Sequence, residues 1–116
     1  MKILFKKLLN SEDQVFPKPR ETLDAPTKKG VYVIFDSKGK VLHIGCTPRV
    51  KEGISQRLKD HMYGRSSFTY NYLEGDGGRL RGKFKFKYVL VGNEKLRAYL
   101  EAYAIGCLCP EHIGAG

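Results

Sequence analysis

The feature that most constrains the fold is a pair of short apolar segments separated by a polar turn. The chain reads VYVIF over residues 31–35 and VLHI over residues 41–44, with DSKGK over residues 36–40 between them. Short segments rich in β-branched residues are typical of strands, and Gly39 can supply the positive φ that a tight hairpin turn requires. The sequence therefore predicts an antiparallel β-hairpin.

A helix is predicted directly after this hairpin, over residues 53–64. Ile54, Leu58 and Met62 recur at intervals that place their side chains on one face of a helix. The segment that follows, residues 66–74, is rich in tyrosine and has two interpretations, a second short helix or a strand. The sequence alone leaves both open.

The last predicted element is a helix over residues 93–105, with Asn93 as its N-cap and Gly106 as its end. Its predicted inner face consists of Leu96, Leu100, Tyr103 and Ala104. With the hairpin and one further strand, these helices predict an α/β (α+β) fold, a small three-stranded antiparallel sheet flanked by helices. We expect one domain over residues 30–116, with residues 1–29 as an irregular N-terminal extension packed on it.

A basic stripe precedes the last helix. Over residues 79–88, basic side chains take every odd position, while apolar and aromatic ones take most even positions. Alternation of period two predicts a strand with all five basic groups on one face. The formal net charge of +9 on 116 residues favours a polyanionic partner, although lysines also protect edge strands from aggregation. The predicted nucleic-acid contacts are Arg65, Arg79, Arg81, Lys83, Lys85 and Lys87.

The cysteines and the apolar segments indicate a cytoplasmic setting. Three cysteines (Cys46, Cys107 and Cys109) are too few for a disulfide framework and are expected to be reduced thiols, rather than zinc ligands. The N-terminal apolar run is interrupted by lysines too early for a signal peptide, and no segment is long enough to cross a bilayer. We therefore expect a cytoplasmic protein without a membrane partner.

Two short motifs and their spacing resemble the signature of the GIY-YIG nucleases. Residues 30–32 (GVY) and 43–45 (HIG) are similar to its two half-motifs, and Thr47 follows the second as a threonine or serine often does in the family. Residues 57–61 (RLKDH) resemble the family's R-L-x-x-H helix, and residues 100–105 (LEAYAI) resemble its L-E-x-x-L-I helix. The similar segments extend over about residues 30–110 and imply the GIY-YIG fold.

This resemblance implies roles for several side chains. Tyr32 would orient or deprotonate the attacking water, Arg57 would bind the scissile phosphate, and His61 would act as a general acid or base. Without the resemblance, Tyr32 is an ordinary strand aromatic, and the other two are polar groups on an exposed helix face. The implied catalytic residues are Tyr32, His43, Arg57, His61 and Glu101.

The resemblance also implies a metal site at Glu101. This carboxylate would be the sole protein ligand of one Mg²⁺ (or Mn²⁺) ion, with water and phosphate oxygens completing the shell. The metal ion would stabilise the leaving 3′-oxygen. The alternative for Glu101 is an ion pair with Arg97, four residues earlier on the same helix. An exposed pair of that kind contributes only about 0.3 kcal/mol.

Three positions depart from the family pattern. His43 replaces the second tyrosine, and Cys46 stands where many members carry a lysine, whose charge Arg49 or Lys51 would have to supply. The family's asparagine near the C-terminus has no counterpart here, so either His112 takes that place or the position is vacant. An imidazole can exchange protons at His43, but its pKa and reach differ from those of a phenol.

Two functional hypotheses follow. The first is a metal-dependent endonuclease, a phosphodiester hydrolase, acting on nucleic acid with DNA as the expected substrate. It is favoured because Tyr32, Arg57 and Glu101 are all present. The alternative is a catalytically inactive nucleic-acid-binding module of the same fold. Because only residues 1–29 lie outside the motif-bearing region, we expect weak sequence preference or a protein partner that supplies specificity.

Overall fold

The computed structural model describes residues 1–47 and 52–113, so Arg49 and Lys51 lie outside the described residues. Its α-helices are α1 (Lys2–Asn10), α2 (Gly53–Met62), α3 (Ser67–Tyr72) and α4 (Glu94–Leu108). Its strands are β1 (Gln14–Val15), β2 (Gly30–Phe35), β3 (Val41–Cys46) and β4 (Lys85–Leu90), and a 3₁₀ helix spans Gly77–Leu80. Within the described ranges, no helix combines the length and hydrophobicity needed to cross a membrane.

The four strands form one antiparallel sheet in the order β1-β4-β2-β3. In the centre of this sheet, Tyr32 of β2 lies opposite Gly45 of β3 on one side and Tyr88 of β4 on the other. The predicted α+β class with flanking helices is confirmed. The sheet has one strand more than predicted, because the two residues of β1 pair with Lys85 and Phe86 at the far edge.

The predicted hairpin is confirmed, and its turn chemistry accounts for it. Asp36 accepts hydrogen bonds on its side chain from the main-chain N–H groups of Lys38 and Lys40, both at 2.9 Å. Gly39 adopts a φ of +90°, a conformation that glycine reaches without steric penalty. A register shift after Ile34 turns Leu42 towards the same face as its neighbour His43.

Apolar side chains are buried on both faces of the sheet. On the α2 face, Tyr32, Ile34 and Phe86 pack with side chains of α2 and α3. On the opposite face, Val31 and Val33 pack with side chains of α1 and α4. Both faces of β2 are therefore covered, and all six of its residues are buried. The side chains of this strand, including that of Tyr32, are therefore closely packed on both faces.

The segment over residues 1–29 contributes to both faces. Leu8 of α1 is fully buried on the α4 face, and Phe16, just after β1, is 1% exposed on the α2 face. This segment was predicted to be irregular, but it contains the helix α1 and the strand β1. The division of the chain at residue 30 remains a prediction.

The helices follow the predicted order, with two differences in detail, both in α4. The predicted helix at residues 53–64 is present as α2, and the ambiguous segment forms α3, whose N-cap Ser66 accepts from the Thr69 N–H group. The last helix, α4, starts after the predicted N-cap Asn93 but continues past Gly106. Its predicted inner face was wrong at Leu96, which is 40% exposed, whereas Arg97 is 3% exposed.

The prediction of one strand carrying five basic groups on a single face was wrong. β4 begins only at Lys85, because residues 77–80 form the 3₁₀ helix and Gly82 follows with a φ of +72°. The guanidinium group of Arg81 donates instead to the carbonyl oxygens of Lys18 and Glu21, at 3.2 and 3.0 Å. These contacts with the N-terminal segment have no signature in the local sequence.

Candidate active site

The glycines of both half-motifs permit close contacts that a side chain would prevent. A Cβ atom on Gly45 would lie 2.6 Å from Cζ of Tyr32, and one on Gly30 would collide with the carbonyl oxygen of Val89. Thr47 then joins the two half-motifs, because its Oγ1 accepts from the Gly30 N–H group and its own N–H donates to the Gly30 carbonyl, both at 3.0 Å. The motif thus places the Tyr32 phenol directly above β3.

The Tyr32 phenol meets the imidazole of His61. Its Oη lies 2.7 Å from Nε2 of His61, and both side chains are fully buried. On the other side of the imidazole, Nδ1 lies 2.6 Å from Oγ of Ser66, the N-cap of α3. The phenol, the imidazole and the serine hydroxyl therefore form a continuous hydrogen-bonded chain.

The donors and acceptors in these hydrogen bonds can be assigned from Thr69, the last residue of the hydrogen-bonded chain. Thr69 Oγ1 lies 2.7 Å from the main-chain carbonyl oxygen of His61, which can only accept, so the threonine hydroxyl donates there. Ser66 Oγ donates to Thr69 Oγ1 at 3.0 Å and must therefore accept from His61 Nδ1. His61 carries its proton on Nδ1, its Nε2 is a bare acceptor, and Tyr32 donates to it.

The charge of Arg57 acts on the titratable groups of the site. Its positive charge lowers the pKa of Tyr32, whose net shift is upward because burial dominates. Burial lowers the pKa of His61 well below its usual range, and His43 and Arg57 lower it further. Neither group is charged near neutral pH.

The guanidinium group of Arg57 is only partly used within the protein. Its Nη1 forms an ion pair with Asp60 at 3.2 Å, and Asp60 also contacts Arg65 and Gln56. Its Nε is buried and has no hydrogen-bond partner among the described residues. A buried, unpaired donor on a permanent cation is suited to an anion.

His43 is packed among other rings on the same face of the sheet. Its ring stacks on Phe68, with centroids 4.9 Å apart and planes at 16°, and meets the edge of His61 at 5.0 Å. Burial lowers the pKa of His43 to about 3, and His112 and Arg57 contribute to this shift. Its Nε2, like Nε of Arg57, is buried without a partner among the described residues.

Glu101 reaches the site from α4 and lies against Cys46, the last residue of β3. Burial raises the pKa of its half-buried carboxyl group, while hydrogen bonding from Cys46 and the charge of Arg57 lower it. Burial and the neighbouring Glu101 raise the pKa of the Cys46 thiol to about 11, so this position does not carry an anion at neutral pH. The five predicted catalytic residues are thus close together.

Arg97 has a different role from the predicted alternative. This side chain is buried, and its guanidinium group donates to the carbonyl oxygens of Thr47, Val91 and Gly92 at 2.7–3.1 Å. It therefore ties α4 to the ends of β3 and β4 and thereby positions Glu101 one turn further along. Nothing in the sequence around Arg97 indicated that this side chain would be buried.

The residues present fit a divalent cation held by one carboxylate. Within the described part of the chain, no three His, Cys, Asp or Glu side chains cluster as a metal cage would require. Glu101 is a desolvated carboxylate near a positive charge that only partly offsets its burial. Mg²⁺ accepts a shell of one carboxylate, several waters and substrate oxygens. Glu101 could provide that carboxylate.

The predicted nucleic-acid contacts are distributed over several surfaces. Lys87 is engaged within the fold, because its Nζ donates to the Leu9 carbonyl oxygen and pairs with Asp13, both at 3.0 Å. Arg65 pairs with Asp60 and lies over the ring of Tyr63. Of the others, Arg79 and Lys83 are exposed, and Arg81 and Lys85 are half-buried. Their contact with nucleic acid remains a prediction.

Sequence reasoning missed three members of the site. Ser66 and Thr69 orient His61, and Asp60 orients Arg57. A usable signal existed for Ser66, since serine is a preferred N-cap residue directly before a helix. Asp60 follows Arg57 by three residues and lies on the same helical face.

This architecture is similar to that of solved GIY-YIG endonuclease domains. The chain matches the GIY-YIG N-terminal endonuclease domain of UvrC from Thermotoga maritima bound to its catalytic divalent cation, magnesium. The TM-score is 0.55 at 21% identity, over 98% of this chain and 99% of that one. Two point mutants of the same domain, also bound to the catalytic divalent cation, match with TM-scores of 0.55 and 0.54, each at 21% identity over 99% of both chains.

These matches establish the fold. No family model matches the chain, and no curated protein matches it either. The structural similarity nevertheless covers nearly the full length of both chains. The chain therefore has the GIY-YIG fold, and the prediction made from its motifs is confirmed at that level.

Proposed function

We propose that the chain is a divalent-metal-dependent endonuclease that hydrolyses phosphodiester bonds of nucleic acid, with DNA as the expected substrate. The observation that carries this proposal is the position of Arg57. Its charge acts on the pKa of one phenol, two imidazoles and one carboxyl group drawn from four different elements. Phosphate hydrolysis requires a positive charge near the phosphate and a group that accepts a proton from water. The Arg57 guanidinium lies among proton acceptors and a carboxylate and meets these requirements.

Arg57 would bind the scissile phosphate. Its unpaired Nε can donate to a non-bridging oxygen, while Asp60 holds Nη1 and fixes the orientation of the guanidinium plane. The phosphate would add negative charge beside the neutral His61 and thereby raise its proton affinity. Substrate binding would thus prepare His61 to receive a proton.

The Tyr32–His61 pair would accept the proton of the attacking water. The water oxygen bonds to phosphorus, and the bond from phosphorus to the leaving 3′-oxygen breaks. As the water loses a proton to the Tyr32 oxygen, the phenol passes its own proton to the bare Nε2 of His61. This relay avoids a free phenolate, which the raised pKa of Tyr32 disfavours.

Glu101 would hold the divalent cation. When bound, a metal ion of this kind stabilises negative charge on the reacting phosphate and on the leaving oxygen. The chain itself contributes the carboxylate, and Arg97 contributes its placement through the bonds to Thr47 and Val91. Sequence specificity would come from a protein partner or be weak.

A second candidate, the inactive binding module, is favoured by one observation. Tyr32 and His61 are 0% exposed and His43 is 1% exposed, so substrate can approach mainly from Arg57 and Glu101 at the margin. If the protein does not open this group of side chains to a water molecule, the fold would only bind nucleic acid. The two candidates make opposite predictions for cleavage.

Nicking of supercoiled plasmid tests the proposal. The wild-type protein should nick in the presence of Mg²⁺ or Mn²⁺ and stop when the metal is chelated. Glu101→Ala and Tyr32→Phe should each lower the rate by about 10²-fold or more. Glu94→Ala is the matched control, since Glu94 is an exposed acidic residue on the same helix and should leave the rate unchanged.

Retardation of the plasmid on a gel distinguishes the endonuclease from the inactive binding module. Absence of nicking by folded wild-type protein, together with equal plasmid retardation by all four proteins, would support the binding module. Metal-independent nicking, or nicking that persists in Glu101→Ala, would contradict the proposed role of Glu101. Circular dichroism of each variant confirms that a loss of activity is not a loss of fold.

A further inference from the structure

The C-terminal segment places a second histidine against His43. Nδ1 of His43 and Nδ1 of His112 lie 3.1 Å apart, which is a hydrogen-bonding distance. Two bare nitrogens would repel each other at this separation, so in the neutral state one of them carries a proton. The question is which of the two rings donates.

The unpartnered Nε2 of His43 answers this question. If His112 donated, His43 would carry its own proton on Nε2, where a buried N–H group would have no acceptor among the described residues. An orphaned buried donor of this kind costs about 1–3 kcal/mol and is rarer in proteins than an under-used acceptor. The favoured state therefore has the proton on Nδ1 of His43, donated to His112, and a bare lone pair on Nε2. His112 then carries its own proton on Nε2, which lies 3.5 Å from the side-chain amide of Asn71, so in this state that amide would turn its oxygen, instead of its nitrogen, towards His112.

Both rings are held in position. The main-chain N–H of His112 donates to the Leu42 carbonyl oxygen at 2.9 Å, and that of Glu111 donates to the Val41 carbonyl at 3.2 Å. These bonds fasten the segment to the free edge of β3, next to His43 itself. The ring of His43 is also stacked on that of Phe68, which restricts its orientation.

We infer that His112 is a positioning residue that fixes the tautomer of His43, so that His43 presents a bare Nε2 within the site. Its consequence for cleavage rests on the function proposed above. There, Nε2 of His43 would accept a hydrogen bond from the attacking water, at the position where the family's second half-motif has a phenol. No proton needs to leave His43 for this role, since its Nδ1–H bond to His112 is retained.

Nitrogen NMR of the full chain, labelled with ¹⁵N-histidine and studied without metal or nucleic acid, tests the tautomer directly. In the wild type, His43 should show a protonated Nδ1 and an unprotonated Nε2. In His112→Gln, the amide oxygen can accept the same proton, so the tautomer should persist. In His112→Leu it should change to a mixture or to the Nε2-protonated form.

Two results would overturn the inference. One is a wild-type His43 protonated on Nε2, and the other is a His43 tautomer that is unchanged in His112→Leu. Ile113→Ala is the matched control, because Ile113 is the next residue of the same segment and is 72% exposed. Its spectrum should match that of the wild type.

Cleavage provides the second readout. His112→Leu should lower kcat of plasmid nicking by about tenfold. This effect is smaller than the roughly 10²–10⁴-fold loss of rate expected when a proton acceptor itself is removed. KM should change little, and His112→Gln should restore most of kcat. Equal kcat in His112→Leu and the wild type would refute the role in cleavage. A wild type without nicking would refute the proposed function, while the NMR result would still decide the role of His112.

Discussion

Acid should destabilise this domain through His43, and the magnitude can be worked out from its burial. The side chain is 1% exposed, and burial lowers its pKa in the folded chain to about 3, against 6.5 for an unperturbed histidine. Between these two values the unfolded chain binds a proton that the folded chain does not. Stability is therefore retained above pH 6.5, lost as the pH falls, and levels off below about pH 3.

Lowering the pH from 7 to 5 should remove about 2 kcal/mol of unfolding free energy through His43 alone. His61 acts in the same direction, because its pKa is also lowered by burial and it is fully buried. The loss is large compared with the 5–15 kcal/mol that stabilises a typical domain.

Urea denaturation followed by circular dichroism at pH 7 and pH 5 measures the effect, and His43→Gln isolates it. Glutamine is neutral at both pH values, so the variant should lose about 2 kcal/mol less than the wild type between them. Carboxylates titrate in both proteins and cancel from the comparison. Equal losses in the two proteins would show that His43 is protonated in the folded chain and would refute the reasoning.

Three further predictions concern the motif, a helix end and the charge. Gly45→Ala should destabilise the fold by about 1–3 kcal/mol, because its Cβ would press on the Tyr32 ring, whereas Gly92→Ala has open space and should change thermal unfolding little. Asn93→Ala removes the side-chain bond to the Leu96 N–H and should cost about 1 kcal/mol in the same assay. Plasmid affinity should fall by about tenfold or more between 50 and 200 mM salt, if about three phosphates are contacted, as a titration of binding would reveal.

Local patterns were sufficient where the chain interacts with its own neighbours. The hairpin followed from its strand residues and from Gly39, and α2 followed from the spacing of its apolar residues. The ambiguity over residues 66–74 was resolved by burial, since Phe68 and Leu73 lie in the core of the α2 face. In a strand, residues five apart point to opposite faces, so one of these side chains would have been turned to solvent.

Long-range contacts decided the elements that sequence reasoning predicted wrongly. The alternation over residues 79–88 is a real property of the sequence, but its first half is bonded to the segment around Lys18 and does not extend the sheet. The buried face of α4 differs from the predicted one because Arg97 is buried and donates to three carbonyl oxygens near the ends of strands. Neither event leaves a local signal.

The site could be predicted as a set of residues but not as a network. Tyr32, Arg57 and Glu101 were expected from their motifs, and the structure brings them together. Ser66 was not expected as the partner of His61, and His112 was expected only as one possibility for the place of the family's asparagine, not as the partner of His43, because these contacts form only through folding. Tautomers depend on such partners, so they could not be read from spacing alone.

The site and the core of this protein are largely the same group of side chains. Tyr32 fills the core of the α2 face, and His61 and His43 pack against Phe68 within it, so substitutions there change folding and chemistry together. Arg57 and Glu101 lie at the margin, where a substitution can alter charge without leaving a large cavity. A test that separates the proposed catalysis from stability must therefore begin with these two residues. Substitutions of the aromatic residues can be interpreted only together with a measured free energy of unfolding.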